Sequence, residues 1–520
     1  MQNLKEFAKS LIPNELSAEE MKAVELNCVA MGISSVQLME NAGSAVASVI
    51  KSKFKGSRSI LFFCGTGGNG GDGFAAARML SSEYDVNIIV LGAKGSIKSG
   101  AALSNFNAVS NSPFVKLYYY IEMDGNEVDS LLSKSDVVVD AIFGTGFEGE
   151  LKGIYKEAVL KINNSGKHVI SIDIPSGFSQ QGFKLTINAE YTVILHKMKL
   201  NMELCKGVGK AIVADIGIPL DAEAFTGPGD LFIGSKPRSD FASKKDLGRL
   251  VIIGGSSTYH SAPKHAMLAA YNTLSSLRVG AGYAVTFVPK HVLNAVRAQS
   301  PNLIVRPLGS SSIAFTNELK SEIDKSTAVA IGMGIGTNPD AQVAALKTIK
   351  YALSKGKKVV VDADGIKALA NAGIDRSACK NIVVTPHDKE FFALTGISLE
   401  HESKDSMLDR AVAAFNAAKK LGMTILLKGH NTIITNGQSL KINLSHASDL
   451  ATMGSGDVLT GIIGGYAARG ASPFEAACAG AYLHSQVGEL LAIEKGNHII
   501  ASDIASAIPK ILINFDRRAK

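Results

Sequence analysis

Short uninterrupted apolar runs alternate along the chain with longer stretches whose apolar positions recur at helical spacing. In the first part the runs are SILFFC (59–64), VNIIVL (86–91), DVVVDAIF (136–143), HVISID (168–173) and YTVILH (191–196). Continuous runs, unlike apolar–polar alternation, mark strands buried on both faces of a parallel sheet. Residues 15–50 read as helical. After ADIGIP (214–219) the pattern dissolves, and residues 220–247 hold FTGPGD and KPRSDFASKKD, rich in turn formers and charge. The alternation restarts with RLVIIGG (249–255). A long helix follows from about 263, then strands near 283–288, 327–331, 358–362, 381–385 and 423–428. Three helical patterns close the chain, the first in SGDVLTGIIGGYAA. No repeat of about 20–50 residues is visible, which excludes a solenoid. The pattern predicts an α/β protein of two three-layer α/β/α domains, over 1–220 and 248–520, with a linker at 221–247.

Composition narrows the class. A chain of 520 residues is too long for one ordinary core. With 46% hydrophobic and 19% charged residues it reads as compact and core-rich, not disordered. The 54 basic and 47 acidic residues are spread evenly, aromatic residues are 6% and Trp is absent. A nucleic-acid groove needs clustered Lys and Arg beside stacking rings, so no nucleic-acid partner is expected. The net charge of +7 suits an enzyme that handles anionic, phosphorylated ligands. Five scattered cysteines show neither CxxC nor metal spacing, and no apolar run is long enough to span a bilayer. The expectation is a cytoplasmic protein with no membrane partner, assembled as a homo-oligomer.

The candidate chemistry lies after strands, where ligands sit in open parallel sheets. GTGGNGGDG (65–73) follows the first strand, and the next helix is expected to begin near Phe74. Glycines let a ligand approach the backbone, and a helix start favours phosphate. The stretch matches neither GxGxxG nor GxxxxGK[ST]. DAIFGTGFEGE (140–150) and DIPSGF (173–178) each place an Asp at a strand end. Asp173 beside Ser176, with Asp140 and Asn69 across neighbouring strand ends, would offer hard oxygen ligands to a cation.

These stretches, preceded by MGISSVQLMENAG (31–43), resemble the NAD(P)H-hydrate epimerase family over about residues 15–217. The resemblance implies a Rossmann-like fold that binds the hydrated form of reduced nicotinamide dinucleotide. It puts substrate contacts on Gly68, Asn69, Gly70, Gly71 and Asp72, on Gly144, Thr145, Gly146, Phe147, Glu148, Gly149 and Glu150, and on Asp173. It puts a potassium ion on Asn69, Asp140 and Ser176. Asp173 is the expected acid–base carboxylate. The chain departs from the family where Gly68 replaces an asparagine, and where no Pro-Gly follows Lys199.

In the second half, GSGD (454–457) opens a helix. Helix N–H groups stabilise a developing anion, and Asp457 can take a proton from a hydroxyl, the parts needed for phosphoryl transfer to an alcohol. The arrangement resembles ribokinase-like enzymes. With TPHDKEFFALTG (385–396), VVDADGI (360–366), LLKGHNT (426–432), IGMGIGT (331–337) and GGSSTYHSAPKHAMLAA (254–270), it is similar to the ADP-dependent NAD(P)H-hydrate dehydratase family over about 230–515. The resemblance implies hydrate contacts at Ala262, Gly334, His387 and Asp457. It implies ADP contacts at Lys428, Gly429, His430, Asn431 and Thr432 and at Gly454, Ser455 and Gly456. Asp457 is the catalytic base, Mg2+ attends the phosphates and Glu390 is an outer-sphere anchor. Met333 stands where the family usually has proline, and HDKE where HPGE is common. Together the halves imply a bifunctional repair enzyme that epimerises R and S hydrates and dehydrates the S form, with ADP converted to AMP and phosphate. The competing expectation is an ATP-dependent vitamin or sugar kinase carrying an inactive N-terminal scaffold. His260, His265 and His446 receive no role.

Overall fold

Every apolar run named above is a strand in the computed structural model, which describes residues 2–98, 100–178, 185–256, 271–370, 372–399, 406–444 and 450–515. The chain forms two compact units, Pro13–Pro219 and Leu220–Lys520, and Met1–Ile12 belongs with the second.

The first unit holds a seven-stranded, all-parallel sheet in the order Val115–Tyr119, Asp85–Val90, Ser59–Cys64, Val137–Ala141, His168–Ile172, Tyr191–Leu195, Lys210–Ala214. The two outermost strands, 115–119 and 210–214, lie outside the runs named from sequence; they are edge strands whose side chains, apart from Val115, are partly or fully exposed. The stretch 15–50 is two helices, Ala18–Ala30 and Ser35–Lys53, each opened by a capping box on Ser17 or Ser34.

One expectation is overturned. The helix expected near Phe74 begins at Gly68 and runs to Leu80, so most of the glycine run is helix, not loop. Its glycines permit close packing. A methyl group added at Gly70 would lie 1.9 Å from the Gly65 carbonyl oxygen, and one at Gly73 would lie 2.6 Å from the Ala141 side chain.

The second unit holds a nine-stranded sheet in the order Ile304–Pro307, Tyr283–Val288, Arg249–Ile253, Ala328–Ile331, Lys358–Val361, Ile382–Val384, Thr424–Leu427, Asn431–Thr435, Leu440–Leu444. The first seven strands are parallel and the last two join antiparallel. Helix Ser455–Ala468 lies against this sheet, its apolar positions buried with Leu250, Ala330 and Val360. The long helix expected from about 263 is described over 271–278; its earlier part lies outside the described residues.

The expected boundaries shift in two places. Helix Gln2–Leu11 departs from a 1–220 domain because Leu4 is buried in the second unit's core and Phe7 meets Phe415 edge to face, ring centroids 5.7 Å apart. The expected linker is also part of that unit. Helix Pro228–Gly234 buries Asp230, which accepts from the partly buried Lys441 Nζ at 2.7 Å. Among the described residues no helix is long and apolar enough to cross a membrane.

Candidate active sites

Strand order in the first unit reverses beside Ser59–Cys64, whose neighbours are Asp85–Val90 and Val137–Ala141. Ligands of open α/β sheets bind at such a switch, outside the carboxyl ends of the strands. The glycine helix starts there, and Asn69 ties it to the loop after Val137–Ala141 by donating from Nδ2 to the Phe143 carbonyl at 3.0 Å. The Asn69 Oδ1 is buried with no hydrogen-bond partner among the described residues. Next to it, fully buried Asp140 accepts from Ser171 Oγ (2.8 Å), Ser176 N (2.8 Å), Ser176 Oγ (2.5 Å) and Ile142 N (3.2 Å). Burial pushes the Asp140 carboxyl above its usual range, against those hydrogen bonds. Ser176 Oγ also accepts from Phe143 N at 2.9 Å. Asn69, Asp140 and Ser176 are therefore gathered around the Phe143 peptide.

Gly68, Gly70, Gly71 and Asp72 lie in the first turns of the same helix. A methyl group added at Gly144 would meet the Asn69 side chain at 3.4 Å, and Thr145, Gly146, Glu148, Gly149 and Glu150 continue a loop that is half-buried to exposed. Within it Phe147 stacks on Phe143, centroids 4.5 Å apart.

Asp173 departs from the oxygen cluster sketched from sequence. Its backbone is left-handed, φ 65°, a strained conformation for a side-chain-bearing residue. Its carboxylate accepts from Lys199 Nζ at 2.6 Å and from Leu195 N at 3.2 Å. The ammonium of Lys199 is buried and also donates to the carbonyls of Leu195 and Lys197. The sequence marks Lys199 only as a lysine where the epimerase family usually has one, and gives it no task. Asp72 stands nearby on the glycine helix. Burial, Asp173 and Glu25 push its carboxyl well above the usual range, and Lys199 opposes them.

In the second unit, Lys428, Gly429, His430, Thr432, Ser455 and Gly456 line one cavity of about 510 Å³. Gly454 caps the helix with φ 90°, a conformation that favours glycine. Asp457 follows in the first turn, its carbonyl held by Asn272 Nδ2 at 3.2 Å. Burial and the nearby Asp362 carboxylate raise Asp457 to about 7, while Lys428 pulls the other way.

Asp362 ends strand Lys358–Val361 and was not singled out from sequence, although a strand-end Asp was already the signal used in the first half. It accepts from Thr385 Oγ1 (2.7 Å), Thr460 Oγ1 (2.8 Å) and Lys428 Nζ (3.0 Å). Burial disfavours its ionisation, but Lys428 and the two hydroxyls outweigh burial and hold it below the usual carboxylate range. Lys428 also approaches Glu390 at 3.9 Å.

A further unforeseen residue is His484. Its Nε2 lies 3.0 Å from Ser455 Oγ, and burial lowers the ring to about 4, so it is neutral at physiological pH. His387 caps helix Asp388–Thr395, its Nδ1 accepting from Lys389 N and Glu390 N. Gly334, φ 61°, sits in the turn after Ala328–Ile331. Asn431 opens the antiparallel strand opposite Leu444. Ala262, His260, His265 and His446 lie outside the described residues.

Two family models match the chain: one described as NAD(P)H-hydrate dehydratase over residues 250–510, and one as YjeF-related protein N-terminus over 35–201. The chain is 35% identical over 507 residues to a bifunctional NAD(P)H-hydrate repair enzyme Nnr of Hyperthermus butylicus, covering 96% of this chain and 92% of that one. It is 34% identical over 508 residues to the protein of the same name from Pyrobaculum aerophilum, covering 96% and 98%. Among solved structures, a ribokinase-like superfamily protein of Enterococcus faecalis aligns with 57% of this chain and 97% of its own, at TM-score 0.48 and 24% identity.

Proposed function

The chain belongs to the family of bifunctional NAD(P)H-hydrate repair enzymes, and from that premise we propose how its two sites divide the chemistry. The first unit interconverts the R and S hydrates of NAD(P)H; the second dehydrates the S form, with ADP as phosphoryl donor. The observation that carries this reading is the similarity of nearly the whole chain to proteins named bifunctional NAD(P)H-hydrate repair enzymes.

In the first unit, loss of the hydroxyl next to the ring nitrogen, driven by the nitrogen lone pair, leaves a planar iminium that water attacks on either face. Asp173, held by Lys199 and Leu195 N, would be the carboxylate that takes a proton from that water. The orphaned, buried Asn69 Oδ1 supports a potassium ion, which Asn69, Asp140 and Ser176 would hold with oxygen donors. Bound there, the ion would supply positive potential beside the dinucleotide phosphates.

In the second unit, Asp457 takes the proton of the hydrate hydroxyl as its oxygen attacks the β-phosphorus of ADP; the bond to the α-phosphate oxygen breaks and AMP leaves. The N–H groups of the Gly454–Gly456 turn face the transferred group. Phosphate then departs from the substrate carbon with its bonding electrons, and the neighbouring carbon loses a proton to restore the dihydronicotinamide. A carboxyl near 7 is matched to proton abstraction at neutral pH. His484 fixes Ser455 at the start of the turn. Lys428, with Gly429 to Thr432 along the cavity, fits the nucleotide. Hard carboxylates of Asp362 and Glu390 flank Lys428, which fits Mg2+ held mainly by phosphate oxygens and water, with Glu390 reached through water. That ion would neutralise phosphate charge. Five buried free thiols fit a reducing compartment, so the reading includes a cytoplasmic enzyme, taken as a homo-oligomer.

The test supplies the pure S hydrate with ADP and follows absorbance of restored NADPH. Wild-type protein restores it, and Asp457→Ala lowers the rate by about 10²–10⁴. Full activity in Asp457→Ala would remove the base assignment.

A further inference from the structure

Strands Ile382–Val384 and Thr424–Leu427 are parallel neighbours, and beyond their ends Lys428 N donates to the Pro386 carbonyl at 2.8 Å. Past that bond the two segments serve different ligands on the proposed reading: His387 the hydrate, and Lys428 to Thr432 the nucleotide. One side chain spans both. Arg410, on helix Ser406–Leu421, donates from Nη1 to Asp388 Oδ1 at 2.7 Å and from Nη2 to the Lys428 carbonyl at 2.8 Å. Arg410 and Asp388 keep only 15% and 21% of their side-chain exposure, so solvent does little to loosen the bridge. Gly429 leaves room for the fork, since a methyl there would lie 2.6 Å from Arg410 Nη2. Glu390 joins the same two segments a second time. Its Oε2 accepts from His387 N at 2.9 Å and lies 3.9 Å from Lys428 Nζ. Asp388 stands in HDKE at the place of the proline in HPGE, and a proline would give Arg410 no side-chain acceptor.

We propose that Arg410 is a positioning residue for dehydration: it sets the spacing of the hydrate and nucleotide segments, and with it the approach of the hydrate oxygen to the β-phosphorus. This rests on the dehydratase half of the proposed function. Arg410 is not among the described residues that line the nucleotide cavity, so it acts through the segments it joins. Reacting atoms must be held about 3–3.5 Å apart, and a misplacement of about 1 Å costs ~10²-fold in rate. A planar guanidinium fixes the direction of two acceptors at once, whereas an ammonium on a flexible stem acts as a point charge. Lys428 Nζ is held separately by Asp362 at 3.0 Å. Loss of the Arg410 fork therefore leaves the cation of the nucleotide cavity in place and disturbs the spacing alone.

The full chain tests this with pure S hydrate and ADP, by absorbance of restored NADPH, while calorimetry on the same samples measures ADP binding. Arg410→Lys should lower kcat by about 10–10², with the ADP Kd and the KM for hydrate nearly unchanged. The retained Kd also reports a folded second unit. Asp388→Asn, which keeps a neutral acceptor, should lower kcat less than Asp388→Ala. The double variant Asp388→Ala with Arg410→Lys should lose less than the product of the two single losses, because both act through one bridge. Wild-type kcat in Arg410→Lys, a loss confined to KM or Kd, or losses that simply multiply would each overturn the proposal. An Arg410→Lys protein that no longer binds ADP, beside an Asp388→Ala protein with wild-type kcat, would make Arg410 a structural residue and overturn it too. If wild type restores no NADPH, the dehydratase reading falls instead.

Discussion

Asp457 resists ionisation because it is buried beside Asp362, and Asp362 stays charged because Lys428, Thr385 and Thr460 hold it. A base must be ionised to act, so dehydration should rise with pH through about 7. Asp362→Asn removes the repelling charge and leaves Lys428 beside Asp457. The acid limb of the kcat–pH profile for S-hydrate dehydration should therefore move below 7, whatever happens to the maximum rate. An unmoved limb, or one moved upward, would show that Asp362 does not set the ionisation of the base. Here sequence was partly legible. The position of Asp457 after GSG was readable because that motif joins a turn glycine to a helix start. Asp362 stood at a strand end in VVDADG, but its effect depends on Lys428 and Thr460, 66 and 98 residues away. Asp173 was legible as a strand-end carboxylate, yet its pairing with Lys199 was not, since a left-handed turn redirects its side chain.

Both glycine-rich stretches lie largely in helices that need bare backbone to pack, the first against expectation and the second as expected. In the first unit, helix Gly68–Leu80 crowds Gly65, Met39 and Ala141. In the second, a methyl at Gly461 would lie 2.1 Å from Ser275 Oγ, and one at Gly465 would lie 2.2 Å from Val279. The glycines thus bring helix starts, with their free N–H groups and first-turn side chains, hard against strand ends. The sequence reads the first run as a loop that lets a ligand approach bare backbone, and glycine in a helix interior costs about 1 kcal/mol against alanine. Tertiary packing outweighs that cost. Gly70→Ala should lower the stability of the first unit by about 1–3 kcal/mol in urea unfolding, and should remove epimerisation while S-hydrate dehydration continues. Unchanged unfolding and epimerisation would refute the packing account. The buried parallel strands were legible throughout, because both faces are apolar; the edge strands 115–119 and 210–214 were not, and every side chain in them but that of Val115 meets water.

Across the whole molecule, two parallel-rich sheets each gather their candidate site residues at strand carboxyl ends, and on the proposed reading each serves a different step of one repair sequence. The break near residue 220 was visible as a loss of periodicity. The placement of Gln2–Leu11 in the second unit was not, because Leu4 and Phe7 form an ordinary amphipathic pattern whose partner, including Phe415, lies 400 residues onward. Fusion makes chemical sense if the first unit feeds the second: a stereospecific dehydratase leaves half of a mixed hydrate untouched unless its epimer is converted. The direct test gives the full chain a mixture of R and S NADPH hydrates with ADP and follows absorbance to completion. The account predicts that both epimers return as NADPH, and that Asp173→Ala leaves the R form almost unrepaired on that timescale. Restoration stopping at the S fraction in the wild type would contradict it, and no restoration would remove the repair function altogether.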